Sequence, residues 1–149
     1  MTEREILEKK LKELKRLEAK EFQKKHYPEM AKFIGKCYCC VDKQYKSVNS
    51  TYFKIVDIKP GDVYCGGPDN NTPLARCTCL FFSVTAYFDG RFSWHVSSKE
   101  DCQYVHSVTC YAEIKPDLFD KRFNQMIENI AAANKKEKEE VCDKWEEDI

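Results

Sequence analysis

Five of the nine cysteines fall into two short clusters, Cys37-x-Cys39-Cys40 and Cys77-x-Cys79. Thiolates bind zinc and act as nucleophiles, so these clusters are the first place to look for chemistry. If both lie in neighbouring strands, residues two apart share a face. Cys37, Cys39, Cys77 and Cys79 would then offer four sulfurs to a tetrahedral zinc ion. The spacing argues against it. Zinc ribbons and fingers wrap the ion with C-x₂₋₄-C in a turn, whereas Cys37-x-Cys39 and Cys77-x-Cys79 are C-x-C pairs on flat strands, which wrap one ion poorly. Buried free cysteine is an ordinary small core residue. Core packing without a cofactor is therefore the first expectation, and a zinc-stabilised structural domain the alternative.

The remaining reactive groups are dispersed. His95 and His106 sit in adjacent candidate strands, and with Cys102 or Cys110 nearby a Cys/His dyad is conceivable, although no local signature surrounds either cysteine. Asp57, Asp62, Asp69, Asp89, Glu100 and Asp101 fall at strand ends and turns, where carboxylates serve local hydrogen bonding. The Gly66-Gly67 loop lacks the pattern of a phosphate cradle. The residues thus point to no enzyme. Thirteen aromatics crowd the middle of the chain, among them Tyr52, Phe82, Phe92 and Trp94. Exposed aromatics beside Lys or Arg on a sheet stack nucleic-acid bases, which makes a single-strand-binding β domain a second alternative.

The elements that must position these groups follow from the pattern. Thr2-x-x-Glu5 has the form of a capping box, and Leu7, Leu11, Leu14 and Leu17 draw one apolar stripe along a charged helix over residues 1–27. Glu18 and Glu21 occupy the next seam positions, so a long coiled coil is not expected; the helix should lie on a domain or on a partner helix. Pro28 should end it at or before Tyr27, with one more turn from Glu29 to Ile34 closed by Gly35. Residues 33–115 read as five strands joined by short links, which predicts a meander or small barrel. Asp89-Gly90 is a hairpin signature, and Gln103–Ile114 reads as the last strand. Pro116 opens a final helix over residues 116–146, whose apolar face is Phe119, Phe123, Met126, Ile127 and Ile130.

Composition narrows the class. The chain has 149 residues, 42% of them hydrophobic, and 25 basic against 25 acidic side chains. That length suits one domain, and the neutral balance gives no global pull towards nucleic acid or an anionic membrane. Residues 1–32 carry ten basic and seven acidic groups, residues 33–115 nine and eight, and residues 116–149 six and ten. The opposite signs of the two ends favour pairing of the helices, within or between chains. The opening residues are charged with no apolar run behind them, and no segment approaches the ~20 apolar residues of a membrane helix. A cytoplasmic protein with reduced cysteines is expected.

Phe33-Ile34-Gly35-Lys36-Cys37-Tyr38, then Tyr52-Phe53-Lys54-Ile55 and the turn Lys59-Pro60-Gly61-Asp62, resemble the openings of small accessory proteins encoded by phages and prophages. The resemblance spans about a quarter of the chain. It implies a compact, non-catalytic protein in the host cytoplasm that modulates a host or phage macromolecule, including by inhibiting host defence. It carries over no functional residue.

The expectation is a single α+β domain over residues 1–149. A curved antiparallel five-stranded sheet, or a small SH3-like barrel, is flanked by two amphipathic helices that close it or pair into an oligomer. Its function is expected to be protein binding or inhibition, with no membrane partner. The partner contacts are assigned to the Gly66–Asn71 loop and the exposed sheet, through Gly66, Gly67, Asp69, Asn70, Arg91 and Trp94.

Overall fold

The computed structural model describes residues 1–66, 71–96 and 101–147, with backbone only for residues 101, 102, 137, 138 and 140–147. Its elements in order are α1 (Glu3–Ala31), β1 (Cys37–Lys43), β2 (Ser47–Asp57), a 3₁₀ turn (Pro60–Asp62), β3 (Val63–Gly66), β4 (Thr72–Tyr87), β5 (Phe92–Val96), β6 (Asp101–Tyr104), α2 (Val105–Val108), β7 (Ala112–Ile114) and α3 (Pro116–Glu147).

The 16-residue strand β4 is the spine of an antiparallel sheet. Its run of Thr, Val, Phe, Leu and Cys has no glycine, and its one proline stands at the second position, where it leaves the strand's interior ladder intact. β2 and then β3 run along successive stretches of β4, and so do β5 and then β6. At Phe82 the strand is paired on both sides, to Tyr52 and to Val96. β1 adds to β2, and β7 closes that end against β1.

Both faces of the sheet are apolar, and each takes a helix. On one face Ala75, Cys77 and Cys79 of β4 pack with Tyr38, Ile55, Ile58 and Val63. Val105 and Val108 of α2 join them, and Phe22, Tyr27 and Met30 of α1 cover the cluster. On the other face Phe82 is fully buried, stacked 4.9 Å from Tyr52 and edge-on to Phe119 at 5.3 Å and Phe123 at 5.8 Å. Met126 and Phe119 of α3 seal this second core, with Leu80, Trp94, Val96 and Ile114 around it. The α+β reading and the two flanking helices therefore hold.

Three features depart from the sequence expectation. Among the described residues the sheet has seven strands, not five; of the two expected forms it takes the open sheet and not the barrel. A sheet covered by helices on both faces does not close into a small barrel, because closure would leave one face no room for its helix. Val63–Gly66 forms a strand of its own, and Gln103–Ile114 is broken by α2. There Val105 and Val108, three apart, are both buried in the core, a spacing that a helical turn satisfies and a strand does not. Finally, α1 runs through Pro28 to Ala31. Tyr27 and Met30, either side of the proline, pack against the core and hold the last turn against its missing N–H. Gly35 then takes a left-handed φ of 89° and turns the chain into β1.

The stacked position of Phe82 sets an expected outcome. Phe82→Ala should cost about 3–5 kcal/mol in urea denaturation, whereas Phe88→Ala at an exposed position should cost less than about 0.5 kcal/mol. Equal costs would contradict the assignment of this core.

Candidate functional site

Strand alternation decides the fate of the cysteine clusters. In β1, Tyr38 belongs to the core under α1 while Cys37 belongs to the core under α3. Cys39 follows Cys37, and its neighbours are Tyr52 and the α3 residue Arg122. Cys77 and Cys79 of β4 face the opposite way, into the core under α1, with their sulfurs 3.6 Å apart. The sheet itself separates Cys37 and Cys39 from Cys77 and Cys79, so the four do not converge. Among the described residues, no group of three or more His, Cys, Asp or Glu side chains is placed to hold a metal ion. Burial pushes the Cys37 and Cys39 thiols above their ordinary range. The contact with Cys79 holds Cys77 below it, against the effect of burial.

The histidines are also apart. His95 pairs with Ser83 and is exposed, while His106 lies on α2 against the ring of Tyr104, 5.5 Å between centroids. The Cys110 thiol donates to the Ser107 carbonyl at 2.9 Å.

Of the expected binding residues, Trp94 reaches a cleft. It stands with Tyr52, Val84 and Phe92 on the floor of a cavity of about 480 Å³, and α3 forms the rim with Arg122, Gln125, Glu128 and Asn129. The Arg122 Nη1 donates to Gln125 Oε1 at 3.0 Å. Burial raises the Tyr52 phenol, the nearby Cys39 adds to this, and Arg122 opposes both. Arg91 has local partners: its Nε donates to Asp89 Oδ2 at 2.7 Å and its guanidinium lies over the Tyr87 ring. Gly66 ends β3 paired to Thr72, and a Cβ there would meet Leu74 Cδ1 at 2.6 Å, so a larger residue would have to push that side-chain tip aside. Gly67, Asp69 and Asn70 lie outside the described residues.

A second surface is larger. α1 starts on the expected capping box, with Thr2 and Glu5 bonded reciprocally. It touches the domain through β3, β4 and the 3₁₀ turn, where Gln23 Nε2 reaches the Gly61 carbonyl at 3.4 Å. Phe22, Gln23, His26, Tyr27 and Met30 are half-buried there, all in the second half of the helix. The first half is uncovered: Ile6 is 40% exposed, Leu7 65%, Leu11 54%, Leu14 56% and Leu17 46%. At 3.6 residues per turn, the line of Leu7, Leu11 and Leu14 is rotated about a third of a turn from the packed line. The domain cannot cover it by any small tilt. The stripe is visible in the sequence. That it points away from the sheet is not, because that depends on which later residues of the same helix meet the core.

Comparison of the chain with family models, with curated proteins and with solved structures finds no significant match in any of the three.

The placement of the thiols predicts an alkylation pattern. In the folded protein, peptide mapping after iodoacetamide treatment at pH 8 should show Cys65 and Cys110 modified and Cys37, Cys77 and Cys79 protected. Because a raised pKa moves thiolate formation to higher pH, Cys39 should react only as pH climbs beyond the ordinary thiol range. Early labelling of Cys77 or Cys79 would contradict the core under α1.

Proposed function

We propose that this protein acts by binding another protein through the first half of α1 and performs no reaction of its own. The observation that carries this is the exposed apolar line Ile6, Leu7, Leu11, Leu14 and Leu17, on a helix whose other faces are charged. A contiguous apolar strip rimmed by charges is the mark of an interaction surface, and a helical one suits another helix laid against it. The helix is anchored at its far end by Phe22, Tyr27 and Met30, which presents the strip beyond the sheet. Inhibition of a host macromolecule, the role implied by the resemblance to phage accessory proteins, is one form such binding takes. Among the described residues no helix is long and apolar enough to cross a membrane, and the strip is interrupted every turn by Lys or Glu.

A second reading has one specific observation in its favour. Tyr52, Phe92 and Trp94 offer ring surfaces beside Arg122, as a single-strand-binding platform would. The rim carries the carboxylate of Glu128 as well as that one arginine, which leaves little net positive charge for a phosphate backbone. Protein binding therefore ranks first.

Replacing Leu7→Glu, Leu11→Lys and Leu14→Glu together tests the role of the strip. Since none of the three is buried, the thermal midpoint should move by less than about 2 °C, while lysine-directed cross-links between protein chains at the start of α1 disappear. A fall of more than about 10 °C, the size expected for buried leucines, would make the stripe a structural element and overturn the proposal.

A further inference from the structure

We infer that the partner of this stripe is a second copy of the same helix, laid antiparallel about a two-fold axis that crosses α1 between Lys12 and Glu13. The inference rests on the protein-binding reading above and adds to it the identity and register of the partner.

The register follows from charge and apolar spacing. With Leu7, Leu11 and Leu14 at seam positions, antiparallel packing about this axis sets Leu11 against Leu14 of the other copy, twice by symmetry. Leu7 then meets the aliphatic stem of Glu18, and Leu17 that of Lys10. The charges beside them find their opposites: Glu8 faces Lys15, Arg4 faces Glu21 and Glu3 faces Lys24. All six of these side chains belong to exposed residues, so none must leave a buried partner to make the contact.

The alternatives are repelled by the same residues. A parallel pair would bring Glu3 to Glu8 and Lys10 to Lys15, and would stack Arg4, Glu18 and Glu21 each on its own copy. Sliding the antiparallel pair one heptad towards the N-terminus opposes Glu8 to Glu8 and Lys10 to Lys10. Sliding it the other way opposes Lys15 to Lys15 and Lys10 to Lys24. Of these arrangements, only the first leaves no like charges in contact.

The end of the helix is accounted for too. In this register the exposed Met1 arrives level with Phe22 of the other copy. Phe22 lines a groove of about 350 Å³ between α1 and β3, together with Val63, Tyr64 and Cys65. The groove lies at the point where the partner helix would end. Two heptads are short for a free coiled coil, and this contact extends the interface onto the folded domain.

Sedimentation velocity on the full chain, from about 1 to 300 µM at low salt, tests the register. The unmodified protein should sediment as a dimer at the upper end. Glu8→Lys would put a lysine opposite Lys15 of the other copy, and Lys15→Glu would put a glutamate opposite Glu8. Each should weaken the dimer about tenfold, or ~1.4 kcal/mol. The double variant Glu8→Lys with Lys15→Glu restores opposite charges and should return affinity to within about threefold of the original. Two outcomes overturn the inference: a monomer at every concentration, or a double variant at least as weak as either single one. Either would leave the stripe open to a different protein. A collapse of the thermal midpoint in the triple leucine variant would remove both readings at once.

Discussion

The alternation of β4 is the constraint on which the rest of the structure depends. A strand of this length, apolar on both sides, must be covered on both sides, and the chain supplies one helix before the sheet and one after it. Ala75, Cys77 and Cys79 set the core that α1 and α2 cover, while Leu80 and Phe82 set the core that α3 covers. Because β4 is also hydrogen-bonded on both edges at Phe82, the strands around it take their places from it. The same two-sidedness divides the cysteines. Four sulfurs that the sequence offers as one cluster become two pairs with a sheet between them, and each pair serves the packing of its own layer.

Much of this is legible in the residues, and the departures have physical causes. The capping box at Thr2 and Glu5, the hairpin at Asp89-Gly90 and the apolar face of α3, apart from the half-exposed Ile127, are local patterns, and local patterns survive folding. At Pro28 and from Gln103 to Ile114, tertiary contacts override local preference. Tyr27 and Met30 hold the helix through the proline, and Val105 and Val108 draw the chain into a turn of helix. Which of the two expected forms the sheet takes, open or closed, is not legible, since an antiparallel sheet with one covered face and one with two give the same order of strands. Of the binding residues expected from the sequence, Trp94 reaches a cleft because its strand lies beside α3. Gly66 lies against the tip of Leu74 and Arg91 pairs with Asp89, contacts that the turn sequence alone does not show.

The consequence for function lies in how α1 is used. Its second half is an ordinary covering helix, and its first half has the composition of one without the contact. A free helical stretch of this length is marginal in water, so a leucine line held out from the domain has a reason to find a second surface. Its charges, complementary in one antiparallel register, are the ground for proposing a second copy of the helix as that surface.

Hydrogen exchange of the α1 amides over residues 3–20, measured at several protein concentrations, is the most direct test of pairing through this helix. Protection in the segment should rise with concentration, while protection in β4 stays constant. Protection in residues 3–20 that is independent of concentration, whether high or low, would contradict the pairing.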